Sequence, residues 1–430
     1  MKKKVKFIDL FAGMGGLRIG FEKAFQARGF QTECVMTSEI KKHAIEALNY
    51  NFQHHKFVGD ITKVDEKSIE DFDFLLAGFP CQPFSSAGNR LGFDDTRGTL
   101  FFDVARILKE KKPYGFLLEN VEGLVTHDNG KTLDTILNVL NELDYNVNWK
   151  LLDSKDFGVA QSRNRVYIVG TKNNKVNLDN FEKNSAILDD ILESGLETVD
   201  SHFTRCLFSH YNPEELYGKA IKDKRGGKAN IHSWDIGLKG EVNSEQKKLL
   251  EQIFKERRKK KWAEEIGIKW MDGMPLTLNQ IKTFNDSENL KELLDDLVDK
   301  GYLKLEYPRE EREILKEDGK TVRKRVPDET KELGYNIVAG KLSFEFTKIL
   351  DPRGIAPTLV AMDVSKLGVI DMGGLRKLSL REGLRLCGYP EEYSLNCLDN
   401  VKDGFDLLGN TVVINVVKAV VNRIVDAYES

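Results

Sequence analysis

From residue 5 to 171 the chain alternates short β-type runs with helical periods, and this rhythm constrains its fold more than any other feature. VKFIDLF, ECVMTSE, KFVGDI, FDFLLAGF, YGFLLENV, YNVNWKLLD and NRVYIVGT have the apolar, β-branched and aromatic content of strands. Between the first two runs, Leu17, Phe21, Ala24 and Phe25 fall at i, i+4, i+7 and i+8, the spacing of one buried helix face. Strands separated by helices predict an α/β protein, a doubly wound sheet covered by helices on both faces. Ligands of such sheets bind beyond the carboxyl ends of the strands, so the turns after each run are where chemistry is expected.

The rest of the chain reads differently. At 430 residues it is long enough for two or three domains. From about 172 to 375 the sequence is charged and irregular, with the basic runs KERRKKKW and KTVRKRV and one amphipathic helix marked by Leu290, Leu293, Leu294, Leu297 and Val298. YLKLEY, a charged stretch with Asp318-Gly319, and TVRKRV follow that helix and suggest a hairpin, so that a winged-helix-like part is expected near 275–326. For each basic run taken alone, a solvated surface is the competing explanation. Residues 407–425 end the chain in an apolar helix that needs a core to bury it.

Composition excludes several classes. Residues are 40% hydrophobic and 31% charged, and no window approaches the ~20 apolar residues of a membrane helix, so no membrane association and a cytoplasmic location are expected. The basic start MKKKVKFIDLFAG is interrupted by Asp9 and suits a first core strand better than a signal peptide. Cys34, Cys81, Cys206, Cys387 and Cys397 are scattered and include no CxxC pair, which points away from a disulfide framework and from a metal site. A net charge of -3 leaves any contact with phosphates to local patches.

The first run leads into Asp9-Leu-Phe-Ala-Gly-Met-Gly-Gly16. Gly13, Gly15 and Gly16 permit a tight turn with a ligand close to the backbone at a helix N-terminus. A dinucleotide fingerprint would need glycine at position 18, which is Arg18. Glu39, at the end of the second run, is placed to accept hydrogen bonds from ribose hydroxyls, and Asp60 ends the third. An adenosine ligand without a pyrophosphate suits all three features, while simple capping of the following helices explains either acid equally well.

GFPCQPFSSAG, residues 78 to 88, sets a thiol between two prolines directly after a strand. With it, DLFAGMGG, GFPCQPFS, RGTLFFD, LENVEGL, QSRNRVYIVG, REGLRLCGYP and LLGNTVV, in this order, resemble the motifs of the DNA cytosine-5 methyltransferases, particularly the bacterial restriction-modification methylases. The resemblance covers residues 5 to 171 and 376 to 425. It implies a Rossmann-like domain dependent on S-adenosylmethionine (1–171 plus 402–430) and an inserted, smaller target-recognition domain with hinge (172–401). The implied reaction moves a methyl group to carbon 5 of a cytosine flipped out of double-stranded DNA, leaving S-adenosylhomocysteine. A monomer in the bacterial cytoplasm, associated with the nucleoid through DNA and protecting it against a separate restriction endonuclease, is the implied setting.

Carbon 5 of cytosine is too poor a nucleophile to take a methyl cation from a sulfonium, so a group must first add to carbon 6. A thiolate does this well, and at a pKa of ~8.5 cysteine is partly ionised near neutral pH. Cys81 matches the family nucleophile, with Pro80 and Pro83 expected to restrict the backbone around it and residues 85 to 98 expected to form a loop that can close over DNA. Glu119 matches the acid that binds the exocyclic amine and shares a proton with ring nitrogen 3. Arg163 and Arg165 alternate along a strand and share a face; by resemblance Arg165 donates to the base oxygen and Arg163 supports the site. Cofactor contacts are implied at Phe11, Gly13, Gly15, Gly16, Glu39, Ile40, Asp60, Ile61, Pro80, Leu100, Asn410, Thr411 and Val412. The chain departs from relatives at Ala87, where a polar residue often fills the space left by the flipped base, and at Ile40, where an aromatic commonly stacks on adenine. A transfer-RNA methyltransferase and a catalytically silent DNA-binding regulator are the alternative functions; intact Cys81, Glu119 and Arg165 speak against the second, and Arg18 against a nicotinamide oxidoreductase.

Overall fold

A computed structural model describes residues 3–54, 56–80, 100–223, 226–315, 321–338 and 344–430. All seven β-type runs are strands of one sheet: β1 (Lys4–Leu10), β2 (Gln31–Ser38), β3 (Phe57–Val58), β4 (Phe74–Ala77), β5 (Gly115–Val121), β6 (Asn146–Asp153) and β7 (Asn164–Thr171). Their order is β3-β2-β1-β4-β5-β7-β6, parallel from β3 to β5, with β7 antiparallel to both its neighbours. Helices α1 (Gly16–Ala27), α2 (Lys42–Asn51), α3 (Leu100–Lys111) and α4 (Lys131–Glu142) lie between the strands in sequence.

Both faces of the sheet are buried, as a doubly wound arrangement requires. Period-2 alternation sends Phe7, Phe74, Leu76, Leu117 and Val169 to one face, where they pack with Phe21 and Phe25 of α1. Ile8, Leu75, Phe116, Leu118 and Ile168 go to the other, against Val104 and Ile107 of α3 and Ile136 of α4. The final helix, Ile414–Glu429, belongs to the first of these cores through Val416, Val417, Val420, Val421 and Ile424. Val401–Glu429 has the length and hydropathy of a membrane span, contrary to the expectation that no stretch comes near. It is two helices, Val401–Asn410 and Ile414–Glu429, with 72% of its most apolar window buried, which is the composition of a core helix.

The described chain forms two compact units. The first comprises 1–194, 351–365 and 378–430, and the second 195–350 and 366–377. The first is thus larger than 1–171 plus 402–430, because long-range hydrogen bonds tie the added pieces to the connection between β6 and β7: Gln161 Nε2 donates to Leu386 O (2.9 Å), Ala356 N–H to Ala160 O (2.7 Å) and Gly158 N–H to Asn184 O (2.8 Å). Local composition carries no trace of such bonds.

Among the described residues the second unit holds two cores. One gathers Trp234, Leu249, Ile253, Leu294, Leu297 and Tyr302; the other places Phe203, Leu207, Ile221, Phe346 and Leu375 against a five-stranded sheet. The expected amphipathic helix is Leu290–Asp299. YLKLEY does not pair with TVRKRV, however. Leu303–Glu306 pairs antiparallel with Gly334–Ile337, and Thr321–Pro327 with Arg309–Leu315. Each run has strand character, but which partner it takes depends on contacts distant in sequence. Asp318 and Gly319 lie outside the described residues.

Candidate active site

Beyond the carboxyl ends of β1 to β5 opens a cavity of about 600 Å³, inside the range of small-ligand sites. Its lining includes Phe11, Gly13, Gly16, Glu39, Ile40, Asp60, Ile61, Pro80, Leu100, Glu119, Arg163, Arg165, Asn410, Thr411 and Val412. The candidate residues, scattered over 400 positions of sequence, are therefore brought together. Gly15 is not among the lining residues, and Cys81 and Ala87 lie outside the described residues.

The glycine turn is shaped by two requirements. Phe11, Gly13 and Gly15 have φ of 55°, 56° and 79°, left-handed values that are costly for Phe11 and easy for glycine. At Gly16 the reason is space: an added Cβ would lie 2.6 Å from Val412 Cγ2 and 2.8 Å from the Tyr389 hydroxyl. The C-terminal motif thus rests on the first turn of α1. Tyr389 also hydrogen-bonds the Thr411 hydroxyl at 2.6 Å, and Tyr393 donates to Met14 O at 2.8 Å.

Glu39 ties the turn to β2. Its Oε2 accepts from Gly13 N–H (2.8 Å), and its Oε1 from Ile40 and Lys41 N–H (2.8 Å each). Asp60 Oδ1 accepts from the Thr62 hydroxyl and N–H, at 2.7 and 3.0 Å, and so caps the short helix Ile61–Lys63. These Thr62 bonds hold its carboxyl below the usual range. Ile40 is 73% exposed and offers an apolar face to the cavity.

At the other end of the cavity β5 ends in Glu119, which is buried, with Arg165 Nε 3.1 Å from its Oε1. Burial raises the Glu119 carboxyl, and Arg165 and Arg163 oppose that rise only in part. A carboxyl in this setting holds a proton at higher pH than an ordinary glutamate. Arg163 differs from its neighbour. Its guanidinium is buried and donates to Leu359 O (2.8 Å), Gly409 O (3.0 Å) and Thr411 O (2.5 Å), so it fixes two backbone segments, one at Leu359 and one at 409–411.

Sequence reasoning passed over two residues here. Asn120 lines the cavity and donates from Nδ2 to Phe79 O (2.9 Å), fixing the backbone that leads through Pro80 to Cys81. Its only sequence signal is a place beside Glu119 at a strand end. Tyr389 is buried between Gly16 and Thr411, and nothing in the sequence around it foretold that contact.

Comparison with known proteins identifies the family. The family model described as C-5 cytosine-specific DNA methylase matches residues 5–426. The chain is 56% identical to the Type II methyltransferase M.NlaIV of Neisseria lactamica, over 98% of this chain and 99% of that protein. It is 41% identical to the Type II methyltransferase M.BanI of Aneurinibacillus aneurinilyticus, over 97% and 95%. Among solved structures, S. pombe Dnmt2 methyltransferase superposes with a TM-score of 0.53 at 16% identity, over 99% of this chain and 98% of that one, a likeness of fold. With a family match over nearly its whole length, the chain belongs to the C-5 cytosine-specific DNA methylases and is a DNA cytosine-5-methyltransferase.

Proposed function

We propose that the cavity binds S-adenosylmethionine beside a flipped cytosine, and that Cys81, Glu119 and Arg165 carry the chemistry. The observation that carries this reading is the buried Glu119–Arg165 pair (3.1 Å), which lines the same cavity as the glycine turn and lies beside the backbone leading to Cys81. The cofactor half of the cavity fits its ligand. Glu39 Oε2 and Asp60 Oδ2 keep acceptor capacity for ribose hydroxyls and an adenine amine, and Ile40 supplies an apolar face for the ring. Gly13 and Gly16 bring the backbone close. The bound cofactor supplies an electrophilic methyl group.

The chain's residues do the rest. The Cys81 thiolate bonds to carbon 6 of the base, and the electron pair displaced from the 5,6 double bond makes carbon 5 nucleophilic. Protonated Glu119 shares its proton with ring nitrogen 3 and so takes up the charge that develops there, while Arg165 donates to the base oxygen. After carbon 5 has gained the methyl group, a base removes its proton and the thiolate leaves, restoring the double bond. Arg163 acts through the backbone it fixes.

The second unit, with the exposed basic strand Thr321–Pro327, is assigned to target recognition. The relatives' Type II names support the further proposal that the protein acts on double-stranded DNA as a monomer and protects it against a separate restriction endonuclease. Mapping methylcytosine in DNA from cells expressing the protein tests the reading. Methylation confined to one sequence context is expected; label in transfer RNA with none in DNA would overturn it.

A further inference from the structure

Residues 351–365 are pinned by hydrogen bonds to residues 160–163, of which Arg163 lines the cavity. Ala356 N–H donates to Ala160 O (2.7 Å), Ser162 N–H to Ala356 O (3.0 Å) and the Thr358 hydroxyl to Ser162 O (2.8 Å). Leu359 N–H donates to Gln161 Oε1 (3.1 Å), and Leu359 O accepts from Arg163 (2.8 Å). The chain then turns sharply, with Val360 O accepting from both Asp363 N–H (2.8 Å) and Val364 N–H (3.0 Å). Val364 is fully buried and anchors the far side.

At the tip of this turn Met362 is 83% exposed, and Val360 beside it is 47% exposed. Ala361 lies between them against Gly409, where an added Cβ would come 2.8 Å from the Ala361 Cβ. Gly409 and Arg163 both line the cavity. Single exposed apolar residues are ordinary on protein surfaces. A methionine at the tip of a turn pinned at both ends, one residue from the contact between Ala361 and the cavity-lining Gly409, is a different case.

We propose that Met362, supported by Val360, enters the DNA duplex and occupies the space left when the target cytosine turns into the cavity. This rests on the reading of the cavity given above. Extruding a base leaves its neighbours unstacked, which is costly. DNA-bending and base-displacing proteins offset such losses with apolar wedges, methionine among them. An unbranched, polarisable thioether adapts to whichever bases flank the gap. Ala87, the position that the sequence suggested for this role, offers only a methyl group.

The test uses the full-length protein and two duplexes carrying the mapped site, one fully paired and one in which the target cytosine faces a mismatched base. On the paired duplex Met362→Ala should lower the single-turnover methylation rate about 10-fold or more, and Met362→Leu should recover most of the loss. On the mismatched duplex, where the base is already loosened, Met362→Ala should stay within about twofold of wild type. S-adenosylmethionine affinity should be the same in all three proteins. An alanine variant as fast as wild type on paired DNA, or equally impaired on both duplexes, would overturn the wedge. A wild-type protein that methylates neither duplex would overturn the reading of the cavity, and the wedge with it.

Discussion

Ending the chain after Asn400 removes both C-terminal helices, and the structure sets the size of the effect. Val412, Val413, Ile414, Val416, Val417, Val420, Val421, Ile424 and Val425 are each at most 7% exposed. At about 1.5–3 kcal/mol per buried Val or Ile side chain, these residues contribute roughly 13–27 kcal/mol of gross burial, an upper bound because unfolded chains are partly compact. Whole domains are stable by only about 5–15 kcal/mol, so the loss exceeds what the sheet can spare. The truncated protein should lack a cooperative unfolding transition by circular dichroism and show no S-adenosylmethionine binding by calorimetry. Val417→Ala is the graded control. It should fold, bind cofactor and lose about 1–3 kcal/mol, through two lost methyl groups and the cavity they leave. A truncated protein that unfolds cooperatively at the wild-type midpoint and binds cofactor fully would refute the argument that the two ends of the chain share one core.

Two further outcomes follow from the buried acids. Glu119→Gln should lower the single-turnover rate roughly 100-fold or more while cofactor affinity changes little, because the acid acts on the base; a normal rate on cognate DNA would contradict that role. Asp9 is fully buried, neither of its oxygens has a hydrogen-bond partner among the described residues, and burial raises its pKa from 3.8 to about 7. An acid whose pKa is raised by folding contributes stability at low pH that is lost as pH rises. Wild type should therefore lose up to roughly 4 kcal/mol relative to Asp9→Asn between about pH 4 and pH 7, at about 1.36 kcal/mol per pH unit. Urea titrations across that range would show it, and stability curves of the two proteins that stay parallel would not fit.

Much of this was legible in the sequence because it is local. Each strand of the large sheet has its own β-type run, and the stripe from Leu17 to Phe25 is the buried face of α1. The glycine turn declared itself by composition, although Gly16 proved to be set by close packing against Val412 and Tyr389. What stayed hidden depends on contacts across the chain. Arg163 and Arg165 look alike in sequence, yet one is spent on three carbonyl groups and the other faces Glu119. The pairing of Leu303–Glu306 with Gly334–Ile337, and the hydrogen bonds that hold residues 356–359 to residues 160–163, are likewise products of tertiary structure.

The central claim is that Cys81 forms a bond to the target base in a pocket completed by Glu119 and Arg165. A duplex with 5-fluorocytosine at the mapped position tests it most directly, since fluorine on carbon 5 cannot leave as a proton does and the covalent adduct persists. In the presence of S-adenosylmethionine the wild-type protein should form a complex with this duplex that survives denaturation, and Cys81→Ala should form none while still binding DNA. A stable adduct with the alanine variant, or appreciable methyl transfer by it, would contradict the account.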